Sequence, residues 1–245
     1  MRIITVNLKR IRNITRISCI LVVLIVLLSG AIGFISKIMR RDDTSLTDTT
    51  PYEKIVIIDA GHGGEDSGAV GVSGVLEKDL NLDIALTLGR ILEERGYIPV
   101  YTRLDDRLLY KDEENIKGIR KISDLKNRCS FASNYSDSLF VSIHMNSFGD
   151  EKYSGLQVYY SESHGSSLAA ELVQASVKEL LQPSNNRKIK SGKKIYVLEN
   201  TENPAILIEC GFITNKEECK KLENADYREK LASAIADGII KYLEK

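Results

Sequence analysis

The chain has 245 residues, 43% of them hydrophobic and 28% charged, which excludes a disordered or fibrous protein and allows one or two packed domains. Its 34 basic and 34 acidic residues cancel, but eight of the basic ones and no acid fall in residues 1–41, leaving 26 against 34 and a net charge of −8 over residues 42–245. An acidic body of this kind argues against nucleic acid as the main ligand.

Residues 17–36 carry no charge and are almost wholly apolar, about the 20 residues needed to span a hydrocarbon core. Five positive charges precede the run and three follow it. Residues 1–16 are therefore expected to form a basic cytoplasmic arm, residues 17–38 a transmembrane helix, and the remainder to lie outside the cytosol. A cleaved signal peptide is the alternative, although its apolar core spans only about 7–15 residues. Residues 39–53 are rich in Asp and Thr and hold Pro51, a linker composition, so the folded domain is expected over residues 54–245. Cys19 lies inside the apolar run. Cys129, Cys210 and Cys219 are too few for a disulfide framework and read as buried free thiols.

From residue 54 onward, short β-rich runs alternate with helical ones. Strands are expected over residues 54–59, 97–102, 138–143, 155–160, 194–198 and 205–209. Helices are expected over 79–95, with Gly96 as the stop, and over 122–134, 167–181 and 227–243. Residues 103–121, charged and poor in pattern, read as a surface excursion. Such alternation predicts an α/β fold with a mostly parallel or mixed sheet covered on both faces.

Three apolar strands end on residues able to bind a metal or move a proton: IVIID runs to His62, LFVSI to His144, and AILI to Glu209, while Glu77 stands just before the first helix. An α/β sheet gathers such strand ends at one edge. Two neutral imidazoles and one carboxylate suit a catalytic Zn²⁺, with a further carboxylate as general base. Each histidine taken alone reads more readily as a hydrogen-bonded structural residue than as a ligand. Asp59 is a candidate to orient His62 or to cap its loop. Asn146 reads as a substrate contact or a turn residue, Arg120 and Arg128 as solvated charge on a helix face, His164 as a loop residue and Cys210 as core.

The four blocks DAGHGGEDSGAVG (from Asp59), EKDLNL (from Glu77), SIHMNS (from Ser142) and ILIECGFITNKEE (from Ile206) together resemble the zinc-dependent N-acetylmuramoyl-L-alanine amidases of the type 3 family. The resemblance implies a twisted, largely parallel sheet of about six strands, His62, Glu77 and His144 as zinc ligands, Glu209 as the catalytic carboxylate, and peptidoglycan as substrate. The stretch KGIRKISDLKNRC from Lys117 and the direct passage from anchor to catalytic domain resemble the members that act on the spore cortex. An activator protein is a possible partner. Another zinc hydrolase of wall polymers, such as a carboxypeptidase or deacetylase, and a non-catalytic wall-binding protein are the alternatives.

Overall fold

The computed structural model describes residues 54–110, 113, 116 and 119–245. The expected arm, membrane segment and linker lie outside these residues. Among the described residues no helix is long and apolar enough to cross a membrane.

Six strands make one sheet: β1 (Ile55–Ala60), β2 (Ile98–Tyr101), β3 (Leu139–Asn146), β4 (Gln157–Tyr160), β5 (Lys190–Ser191) and β6 (Ala205–Phe212). Their order is β2-β1-β3-β6-β4-β5. Every neighbouring pair is parallel except β4 with β6, so the mostly parallel sheet is what the chain builds. The helices are α1 (Glu77–Glu94), α2 (Arg120–Ala132), α3 (Ser166–Leu180), the single turn α4 (Tyr196–Glu199), α5 (Lys216–Glu223) and α6 (Ala225–Leu243).

Strand parity decides what each face covers. Val56, Ile58, Val141, Ile143, Ile206 and Ile208 point to one side, where Ile84 and Leu88 of α1, Val173 of α3 and Ile235 of α6 close a fully buried core. Ile57, Phe140 and Leu207 point to the other, where a smaller cluster with Cys129 of α2 and Val197 of α4 covers only the lower half of the strands. Helices thus lie on both faces. Gly96 takes φ +86° as α1 ends, the left-handed conformation that lets the chain turn back into β2. Asn215 and Asn224 cap α5 and α6, accepting from the amides of Glu218 and Tyr227.

Three sequence expectations need correction. Residues 194–198, expected as a strand, run into α4, whose Val197 and Leu198 are buried while Tyr196 packs at the edge of the same cluster; an apolar run this short does not distinguish strand from helix by pattern alone. Helix α5 was not anticipated, because its residues are mostly charged and only Glu218, Cys219 and Leu222 are buried. Residues 103–121 are not simply a surface excursion, since Arg103 is 1% exposed and bonded to the chain beneath the site. Cys129, Cys210 and Cys219 are free and buried, as expected.

Candidate metal centre

The site stands at the carboxyl end of the sheet, on the half of the second face that the small cluster leaves uncovered. His144 and Glu209 occupy register partners on β3 and β6, so their side chains leave the sheet on the same side, next to one another. Asp59 of β1 pairs in register with Ser142 of β3 on this face. His62 stands two residues beyond β1, and Glu77 is the first residue of α1. Ligand-bearing atoms of His62, Glu77 and His144 all lie within 4.8 Å of one another and could hold a metal ion.

The donor set fits such an ion. Glu77 Oε1 is 3.3 Å from His62 Nε2 and 3.0 Å from His144 Nδ1, close to the roughly 3.3 Å edge that a tetrahedral zinc shell of 2.0–2.1 Å bonds requires. Two backbone amides fix the carboxylate, Ala69 N donating to Oε2 at 2.8 Å and Met145 N to Oε1 at 3.0 Å. The loop also leaves room for the donors. A Cβ at Gly61 would lie 2.1 Å from His144 Nε2, and one at Gly68, whose φ is +65°, would lie 2.6 Å from Glu77 Oε2. His62 itself sits at φ +61°, a conformation uncommon outside glycine and one that aims the imidazole back over the sheet.

Electrostatics match this reading. Burial alone would raise the Glu77 carboxyl, but the two imidazoles outweigh it and hold the group well below the carboxylate range. Burial also works against the His62 imidazolium, yet Asp66 and Glu77 prevail and push it up to about 9. Asp66 Oδ2 is 3.0 Å from His62 Nδ1 without hydrogen-bond alignment. Glu209 shows the opposite balance: burial, reinforced by Glu77, pushes it up to about 7 against the pull of His144 and His62. Its Oε2 is enclosed and has no hydrogen-bond partner in the protein.

Beneath the donors lies a buried polar floor. Arg128, 1% exposed, donates to Asp59 Oδ1 at 2.6 Å, Asp124 Oδ2 at 2.8 Å, Ala60 O at 2.8 Å and His62 O at 2.8 Å. Asp59 accepts in addition from Ser142 Oγ at 2.6 Å and Thr102 Oγ1 at 2.7 Å. Burial would raise the Asp59 carboxyl, but Arg128 and the two hydroxyls outweigh it and hold the group below its ordinary value. Arg103 donates to Ala60 O at 2.8 Å and to the Gly61 and Lys78 carbonyls at 3.1 and 2.8 Å. Asn81 donates to Gly61 O at 3.1 Å. The metal-loop carbonyls are thereby tied to β2, α1 and α2 together.

The structure thus brings His62, Glu77, His144 and Glu209 together at one end of the sheet. Asp59 reaches His62 only through Arg128, which grips the His62 carbonyl. Arg128 is not the solvated charge its helix position implied, because the i, i+4 pair with Asp124 faces inward. Arg120 instead pairs with Glu65 on the loop. Asn146 ends β3, its carbonyl accepting from Ile213 N; His164 is exposed on the loop before α3, outside the donor group. Arg103, Asp124, Ser142 and Thr102 were not singled out from sequence. The signal available for Ser142 was parity, since it stands two residues before His144 on the same face. A cleft of about 170 Å³ opens above the floor, lined by His62, His144, Lys121, Leu125, Ile195 and Tyr196 among others.

A protein-family model described as N-acetylmuramoyl-L-alanine amidase matches residues 56–241. The germination-specific N-acetylmuramoyl-L-alanine amidase of Bacillus subtilis (strain 168) is 35% identical over 190 residues, which cover 77% of this chain and 79% of that protein. Among solved structures, the CwlD amidase from Clostridioides difficile in complex with the GerS lipoprotein is 42% identical with a TM-score of 0.75, covering 78% of this chain and 98% of that one. AmiC2, an N-acetylmuramoyl-L-alanine amidase of Nostoc punctiforme, is 35% identical with a TM-score of 0.68, covering 79% and 98%.

Proposed function

The chain belongs to the N-acetylmuramoyl-L-alanine amidase family and is a cell-wall amidase, and from that premise we propose that it hydrolyses the amide between N-acetylmuramic acid and L-alanine with one zinc ion, in maturation of the spore cortex. The observation that carries the chemistry is the juxtaposition of the His62, Glu77 and His144 donors with the enclosed, unpartnered Oε2 of Glu209. When bound, zinc supplies a Lewis acid that polarises the scissile carbonyl and acidifies water.

The protein's own residues do the rest. His62, Glu77 and His144 would hold the ion; the backbone amides of Ala69 and Met145 fix the Glu77 carboxylate in place, and the two imidazoles keep it ionised. Glu209, held near neutrality by its surroundings, takes the proton of the attacking water and delivers it to the departing amine of L-alanine. One carboxylate that accepts the proton as base and returns it as acid serves both steps of a single turnover.

Removal of stem peptides from muramic acid would prepare the glycan for the muramic-δ-lactam of the cortex. Similarity to the germination-specific enzyme of Bacillus subtilis and to CwlD of Clostridioides difficile supports this assignment. That CwlD was solved with the GerS lipoprotein supports a partner protein here too. The charge bracket around residues 17–36 supports anchoring by the amino-terminal helix, with the catalytic domain on the wall side.

The test is metal content together with mass spectrometry of digested peptidoglycan. About one zinc per chain is expected, with stem peptides released bearing a free L-alanine amine. Glu209→Gln should keep the zinc and lower turnover about 10²–10⁴-fold, and His144→Ala should lose both. Products cut at another bond would point to a carboxypeptidase or deacetylase and overturn the assignment.

A further inference from the structure

The face that carries Glu209 also carries an unpaired guanidinium. Between β3 and β6 the register shifts: His144 lies opposite Glu209, but Asn146 lies opposite Phe212. Cys210 and Gly211 therefore face the single residue Met145, and this bulge returns Phe212 to the same side of the sheet as Glu209. Across β6, Gln157 of β4 is the antiparallel partner of Glu209. Directly opposed side chains share a face, with Cβ atoms about 4.5–5.5 Å apart.

Arg187 is fastened to both neighbours of Glu209. Its Cζ lies 4.4 Å from the centroid of the Phe212 ring, its Nη1 donates to Gln157 Oε1 at 3.1 Å, and its Nε donates to Ser154 O at 2.7 Å. Gln157 is held in turn by donating from Nε2 to Lys188 O at 2.6 Å. Glu218, whose carboxyl feels the Arg187 charge, is committed to the amides of Gly155 and Phe212 at 2.9 and 2.8 Å. Among the described residues no carboxylate forms an ion pair with Arg187, and its Nη2 has no partner.

A half-buried cation that is stacked, hydrogen-bonded and still unneutralised has already given up its rotational freedom, and its planar fork matches a carboxylate. We propose that Arg187 is a specificity-determining residue that binds the free α-carboxylate of the D-glutamyl residue following L-alanine in the stem peptide. The inference rests on the amidase reading of the site. The spacing agrees with it. An extended peptide advances about 3.3–3.6 Å per residue and adjacent strands lie about 4.8 Å apart, so a carboxylate one to two residues beyond the scissile amide can reach a group held one strand over from Glu209, where Gln157 holds Arg187. Peptides whose α-carboxylate is amidated would lose the contact.

The experiment compares equilibrium binding of two muramyl tripeptides, one with the D-glutamyl α-carboxylate free and one with it amidated, to the zinc-loaded full chain carrying Glu209→Gln. Amidation should weaken binding about tenfold or more and should have no effect once Arg187→Gln is added. Arg187→Lys, which keeps the charge and loses the fork, should retain about half of the discrimination on a logarithmic scale; this variant carries the test if the Gln form proves poorly folded by thermal melting. Equal weakening by amidation with and without Arg187 would overturn the proposal, because a purely structural Arg187 cannot distinguish the two peptides. Discrimination that persists while the unmutated enzyme releases no stem peptide would remove the amidase reading and leave the anion site standing.

Discussion

The two faces of the sheet use the same strands differently. On one face every inward residue of β1 and β3, and Ile206, Ile208 and Cys210 of β6, is apolar, and α1, α3 and α6 seal it with side chains such as Ile84, Leu88, Val173 and Ile235, none of them exposed. On the other the lower residues Ile57, Phe140 and Leu207 are apolar, while the next inward positions are Asp59, Ser142, His144 and Glu209. Alternation thus divides the labour residue by residue. Ile58 packs in the apolar core while its neighbour Asp59 anchors Arg128 beneath the candidate site. Stability and metal binding should therefore respond separately to substitutions made only a few ångströms apart.

Arg128→Met is the largest expected disturbance. It removes the cation shared by Asp59 and Asp124 and leaves two buried carboxylates uncompensated, which costs on the order of 3–5 kcal/mol. It also frees the His62 carbonyl, so zinc affinity should fall with stability. Urea unfolding and a zinc competition titration on the same samples check both. Should the variant melt early and yet hold zinc as tightly as before, the polar floor would have no part in shaping the site.

Leu88→Ala lies on the opposite face and should cost about 2–5 kcal/mol through lost burial and a cavity in close-packed surroundings. Its folded fraction should bind zinc with unchanged affinity, because Glu77, the candidate ligand on α1, is that helix's first residue, three turns away. A loss of affinity comparable with that of Arg128→Met would mean that the two faces are mechanically coupled, and the division drawn above would fail.

Much of this division was legible in the chain, for a physical reason. Strand β1 through Gly71 announces itself because an apolar run must end where polar ligands begin. His62, Glu77, His144 and Glu209 stand at such ends or at a helix start, which is where the topology gathers them. The floor was illegible because its members look like ordinary surface residues. Arg103 opens a charged stretch, and Asp124 and Arg128 have the i, i+4 spacing of a solvated ion pair. Only the fold shows that α2 turns this pair inward against Asp59. Arg187 escaped for a related reason: its importance depends on a bulge at Cys210 and Gly211, and no local pattern marks where two strands lose register.

The smallest expected effect concerns protons. In the metal-free protein Asp66 and Glu77 lift His62 to about 9, against an ordinary value of 6.5. The raised value means that protonated His62 stabilises the metal-free fold fully below about pH 6.5, and that this contribution fades as the pH climbs through 9. A metal ion needs the neutral imidazole, so zinc must displace that proton. Apparent zinc affinity should accordingly strengthen about tenfold per pH unit, or about 1.4 kcal/mol, from pH 6.5 upward, and level off above about 9. Zinc affinity measured against a competing chelator of known pH dependence would reveal the slope, and Asp66→Asn should flatten its upper part by lowering the pH at which His62 loses its proton. A zinc affinity already constant between pH 7 and 8.5 would show that His62 is neutral before the metal arrives. The acid pair around it would then serve to orient the ring, and the charge balance that sets this face apart from its apolar counterpart would reside in Glu77 and the two buried arginines alone.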